Sequence, residues 1–200
     1  MRGPTAWAVT AVLLVVATGC TAISAGEPVP GVTSGSTENT VAPPVTQPAL
    51  SFGRFTSQPC QILRREQLAA SGTTKDPGEA KTQVVGPECG WQADAVSGTH
   101  IAVTFLTNTR GLDALYSTRD EGFGYFAPTE VSGYPAVNTD NRKPIGRTTP
   151  EGVCFTAVAV AKAVAFQVHV TAFNPNPDND APCKASERIA AMVLENLRAG

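Results

Sequence analysis

The run from Ala6 to Cys20, Ala-Trp-Ala-Val-Thr-Ala-Val-Leu-Leu-Val-Val-Ala-Thr-Gly-Cys, constrains the rest of the chain because it decides the compartment in which folding takes place. Arg2 supplies a positive start, and residues 6–17 are apolar apart from Thr10, the order of a secretory signal. A helix over those residues would reach only ~18 Å, against the ~30 Å of hydrocarbon that a spanning segment must cross. The sequence therefore predicts a cleaved leader over residues 1–19 and a mature chain that folds in an oxidising exterior.

Val16-Ala17-Thr18-Gly19-Cys20 resembles the lipobox of bacterial lipoproteins, although Ala17 stands where that pattern usually has Leu. The resemblance implies that the Cys20 thiol receives a diacylglycerol and becomes the first residue of the mature chain, a palmitate-type lipoprotein modification. The other reading is an ordinary secretory leader with an incidental cysteine. Two acyl chains hold stably where one binds only marginally, at ~0.8 kcal/mol per buried CH₂. The expected location is the extracytoplasmic face of the plasma membrane, anchored by lipid.

Five cysteines then divide into Cys20 and four others, Cys60, Cys89, Cys154 and Cys183. An even remainder in an exported chain reads as two disulfides. Three connectivities are open and sequence alone does not choose among them. Pairing Cys60 with Cys89 and Cys154 with Cys183 has in its favour two loops of equal length, each worth up to ~3.6 kcal/mol in the chain-entropy model. No C-x-x-C occurs and the chain has only two histidines, so a metal site at these cysteines is disfavoured. Formal charge is −2, or −3 once Arg2 leaves with the signal, and no basic cluster suggests nucleic acid as a partner.

From Thr21 to Leu50, sixteen of thirty residues are Pro, Gly, Ser or Thr, so residues 20–51 read as a lipidated N-terminus and flexible tether. The remaining 52–200 make one domain's length. Within it, Pro59 to Gly72 reads as a helix, Thr73 to Pro87 as an irregular connection, and Glu88–Ala93 and His100–Leu106 as a hairpin. Leu112, Leu115 and Tyr116 suggest a short helix. Val131–Val137 reads as a turn into a strand that Pro135 demotes to an edge or a bulge, and Asn138–Pro150 as a polar loop. Val153–Val160 and Ala163–Phe173 form the clearest hairpin, with Gln167, His169 and Thr171 on one face of the second strand and Phe166, Val168 and Val170 on the other. Pro182–Arg198 is the last helix, with a stripe of Ile189, Met192, Val193 and Leu197 to lay on the sheet. The class is α+β, an antiparallel sheet of about five strands covered by helices and held by two disulfides.

Pro59-Cys60 before a Leu-rich helix, Cys89-Gly90-Trp91, Gly133-Tyr134-Pro135-Ala136-Val137, Cys154 on a hairpin and Cys183 opening the last helix together resemble the DUF3558 family of actinobacterial lipoproteins. The resemblance covers the domain from about Phe52 onward and supports the cysteine pairing above. It implies a setting in the cell envelope and supplies no catalytic residue.

Chemical motifs are absent: no G-x-S-x-G, S-x-x-K, H-E-x-x-H or phosphate loop occurs. His100 and His169 could form half a metal site or a pH switch, or simply be unrelated histidines on strands. Asp178-Asn179-Asp180 lacks the Gly and distant Glu of a calcium loop and reads as a cap for the last helix. Trp91 reads as core packing over a disulfide, with a ligand-stacking platform as the alternative. These residues point to a non-catalytic binding domain for an envelope protein or a small apolar or glycan ligand, acting across the solvent-facing sheet surface or in a gap between sheet and helices and needing no cofactor. An envelope hydrolase using His169 with loop carboxylates or hydroxyls is the alternative, and a purely structural accessory the third reading.

Overall fold

A computed structural model describes residues 41–73, 77–93, 97–142, 144, 146 and 149–200. Pro59–Ile62 forms a 3-10 turn and Arg65–Ala70 the helix α1. The single helix expected over Pro59–Gly72 is thus broken at Leu63, which is extended. Ile62 and Leu63, on either side of the break, are both buried. Gln67 Oε1 accepts from the Arg64 backbone N–H at 2.9 Å and fixes the new start.

Seven strands follow: β1 (Glu79–Gln83), β2 (Gly86–Trp91), β3 (Thr99–Leu106), β4 (Tyr125–Val131), β5 (Tyr134–Asp140), β6 (Val153–Ala161) and β7 (Val164–Ala172). Short helices α2 (Leu112–Tyr116) and α3 (Arg119–Gly122) connect β3 to β4, and α4 (Pro182–Ala199) ends the chain. All neighbours are antiparallel and the spatial order is β1-β2-β3-β7-β6-β5-β4. The sheet is therefore two runs of consecutive hairpins joined where β3 lies against β7 over eight residue pairs. The α+β class holds, with seven strands in place of about five.

The two strands beyond expectation, β1 and β4, are the two edges. Every residue of β1 is exposed, so the stretch read as an irregular connection carries no apolar alternation to betray it. Pro135 was expected to mark an edge or bulge, yet β5 is interior. The strand tolerates it because pairing with β6 begins only at Ala136, and beyond that point the Leu50 N–H donates to Val160 O at 3.0 Å. The polar loop expected from Asn138 starts later as well. Asn138, Thr139 and Asp140 finish β5 and are buried. Asn138 is satisfied by Thr156 Oγ1 at 2.7 Å and by Glu187 Oε1 at 2.6 Å, and Asp140 by a bidentate Arg142.

Both disulfides form with the favoured pairing. Cys60–Cys89 ties the turn before α1 to β2, and Cys154–Cys183 ties the start of β6 to the first turn of α4. The inner face of the sheet carries Cys89, Trp91, Val103, Phe105, Phe166, Val168 and Val170, all at most 1% exposed, beneath α4 and the turns before α1. On α4, Ile189, Val193 and Leu197 are buried as the stripe requires, and Met192 is partly buried against the same core. Asn196 is buried too, donating to Ile62 O at 2.7 Å and to Gln67 Oε1 at 2.8 Å, which locks α4 to α1.

Residues 41–50, at the end of the stretch read as tether, lie against this domain. Val45 and Leu50 pack on the core, the Ala42 N–H donates to Asp113 Oδ1 at 3.2 Å, and Tyr134 donates its hydroxyl to Pro48 O at 2.7 Å. The domain thus begins earlier than Phe52, because proline-rich chain with a few apolar side chains finds a preformed surface to cover. The signal segment, Cys20 and the rest of the tether lie outside the described residues.

Candidate ligand-binding face

The outer face of the sheet is treated differently along its length. Toward the β6–β7 turn, Leu106, Ala165, Ala159, Ala157 and Val137 form a second apolar cluster, closed by Leu112 and Tyr116 of α2 and by Ala42 and Val45. Toward the other end of β7 the face is open. There Gly90 on β2 pairs with Ala102 on β3, Ala102 with His169 on β7, and His169 with Phe155 on β6, placing all four on one row. His100 pairs with Thr171 one row along.

A hollow of about 330 Å³ results, and its shape follows from residue size. Gly90 and Ala102 form the floor, while Glu88, Gln92, His100 and His169 are among the walls. A second hollow of about 180 Å³ adjoins it, lined by Phe123, Thr139, Asn141, Phe155 and Gln167. The divide between them is a stack of the Phe155 ring on the His169 imidazole, 4.1 Å apart and 8° from parallel. Phe173, 51% exposed, stands at the rim edge-on to His100 at 6.0 Å.

Burial between Phe155 and the sheet holds the His169 imidazole below the ordinary histidine value, outweighing the opposite pull of Glu88 and Asp140. At neutral pH His169 is therefore uncharged. Its Nε2 lies 3.0 Å from Thr171 Oγ1. His100 Nδ1 meets Gln92 Oε1 at 2.6 Å. Glu88 is the one carboxylate of the larger hollow, and it accepts from Thr104 Oγ1 at 2.7 Å and Gln83 Nε2 at 3.0 Å.

The two histidines thus share a face on adjacent strands, but no third ligand joins them. Among the described residues no group of three or more His, Cys, Asp or Glu is placed to hold a metal. Trp91 is core, 1% exposed, and does not face the hollow. Gly78 crosses directly over it: a Cβ there would lie 2.5 Å from Trp91 Nε1 and 2.6 Å from Cys89 Sγ. The expected capping of the last helix by Asp178–Asp180 is not seen. Position Ala181 precedes the helix without a side-chain cap, and Asp178 instead receives Thr99 Oγ1 at 3.2 Å and pairs with Arg188 at 2.8 Å. The N-cap residue is alanine, which has no side-chain acceptor, and its backbone carbonyl accepts from the Lys184 N–H at 3.0 Å.

Alternation along β7 foretold the outward set Gln167, His169 and Thr171. Phe155, Gly90 and Glu88 join them only through the register of neighbouring strands. Phe155 could have been found by the same alternation, since it stands between the inward Cys154 and Thr156.

The family model described as a protein of unknown function, DUF3558, matches residues 15–196. The chain belongs to the DUF3558 family. No curated protein and no solved structure matches it. In this DUF3558 domain the two bridges and the Cys89-Gly90-Trp91 stretch occupy the inner face and the floor of the outer hollow at once. Among the described residues no helix is long and apolar enough to cross a membrane.

Proposed function

We propose that this DUF3558 protein is an extracytoplasmic lipoprotein, anchored through Cys20, whose domain binds a component of the cell envelope without transforming it. The observation that carries the binding reading is the uncovered half of the outer sheet face. The neighbouring half is covered by α2 and residues 42–45, which leave a separate hollow of about 290 Å³ beside Arg110, Asp113 and Lys162, whereas this half gathers aromatic, amide and imidazole groups around an uncovered one. The leader and the Val16–Cys20 pattern support the anchor.

One contact favours the alternative of a hydrolase, the 3.0 Å approach of Thr171 Oγ1 to His169 Nε2. Among the described residues His169 has no further hydrogen-bond partner to orient it, so the triad logic is incomplete.

Because the chain has only two histidines and both face the hollow, histidine-directed labelling reads the site directly. In intact envelopes His100 is expected to be shielded, and to react after the protein is extracted in detergent. Equal labelling in both preparations defeats the binding reading. Cys20→Ala is expected to move the protein out of the membrane fraction; unchanged retention there defeats the anchor and leaves the binding reading standing.

A further inference from the structure

We infer that the open face takes a neutral oligosaccharide laid across β2, β3 and β7, with a sugar ring seated on the Gly90–Ala102 floor. This rests on the binding reading above and specifies the ligand. The argument starts from Gly90. It is an interior residue of the sheet, paired on one side with Glu79 and on the other with Ala102. Glycine weakens a strand relative to alanine, and inside one it marks a bulge, a bend or a close approach of another molecule. No bulge or bend is present, for the register runs evenly through it on both sides. Neither does packing within the protein require it: a Cβ at Gly90 would meet no atom within 4 Å, and its φ lies outside the left-handed range. The space that glycine leaves is therefore open to a ligand.

The surroundings state the ligand's chemistry. Phe155 and His169 present stacked rings, and Phe173 a further exposed one, which suit the C–H faces of a sugar ring. Gln92, Gln167 and Asn141 offer amides that both donate and accept, as paired hydroxyls require. Formal charge in the larger hollow cancels, Lys81 against Glu88, with His169 held neutral. An acidic or basic polymer would find no complementary field. The two adjoining hollows, divided only by the Phe155–His169 stack, suit a chain of more than one ring. Cleavage of a glycosidic bond by the usual route needs two carboxyl groups flanking it. The larger hollow offers Glu88 alone, already engaged by Thr104 and Gln83, so the site holds the chain intact.

The test titrates the full chain in detergent with short linear glucan, mannan, galactan and arabinan fragments, with polygalacturonate and an extended neutral peptide as contrasting probes. Backbone amide NMR shifts are the readout. Saturable binding of a neutral fragment is expected, with shifts centred on residues 88–92, 100–104 and 167–173. Gly90→Leu, whose side chain enters open space, should keep the fold and abolish binding. Phe173→Ala, at an exposed position, should weaken it roughly tenfold. Binding of the acidic polymer or the peptide alone at this face overturns the glycan assignment while the binding reading stands. Neutral-fragment binding that survives Gly90→Leu overturns the site. No shift with any probe overturns the assignment too, while His100 shielding in envelopes reports on the binding reading separately.

Discussion

The two faces of the sheet are made by the same strands, one residue out of step, and they have been put to opposite uses. On β7, Phe166, Val168 and Val170 are fully buried under α4, while Gln167, His169 and Thr171 between them are half exposed on the other side. The inner face holds the fold. The open half of the outer face is free to carry chemistry because little of the core lies there, and Gly90 is the sharpest instance: directly beside Cys89 and Trp91 of the core, it faces outward with no atom within 4 Å of where a Cβ would stand.

This comparison breaks first at two adjacent residues. Phe166→Ala should cost about 3–5 kcal/mol of unfolding free energy, as expected for a buried aromatic, whereas Gln167→Ala should stay within about 0.5 kcal/mol. Denaturant titration of both variants checks it, and similar losses would erase the distinction between the faces. Next, Cys154→Ser with Cys183→Ser should cost up to about 3.6 kcal/mol by freeing the unfolded chain. The double variant should leave the outer hollow unchanged, because the bridge lies on the inner side. A smaller effect concerns pH. His169 is held below its unfolded value near 6.5, so the unfolded state binds the extra proton and stability falls as pH drops through and below that value. His169→Gln should flatten this dependence between pH 7 and 5. Glu88, Lys81 and His100 share the face and remain in the variant, so any slope left over belongs to them or to groups elsewhere.

How much of this was legible in the sequence depends on whether a residue's surroundings are set by its near neighbours. The β6–β7 hairpin, α4 and its stripe were readable because strict alternation and a 3.6-residue period record burial directly. The disulfide pairing was favoured by equal loop lengths and supported by the family resemblance, and the fold agrees because each pair joins elements adjacent in space. The edge strand β1 was not readable: five exposed residues carry no apolar alternation to record the sheet they pair with. Nor were Asn138, Thr139 and Asp140, whose burial depends on distant or later partners such as Glu187 and Arg142. The docked segment 41–50 belongs with them, since its Pro and Thr content resembles that of free chain. Half of the candidate site followed from β7 alone; the other half needed the register of β2, β3 and β6.

The two covalent loops do not overlap, and neither reaches across the β3–β7 junction. The covalent stitching is consequently confined to each half, while between them the molecule is held by the β3–β7 ladder, the shared core and the α4–α1 contact through Asn196, with the hollow lying over the ladder: His100 on one margin, His169 on the other. An occupant spanning both margins would act as a clasp, resisting separation of the halves where no sulfur does so.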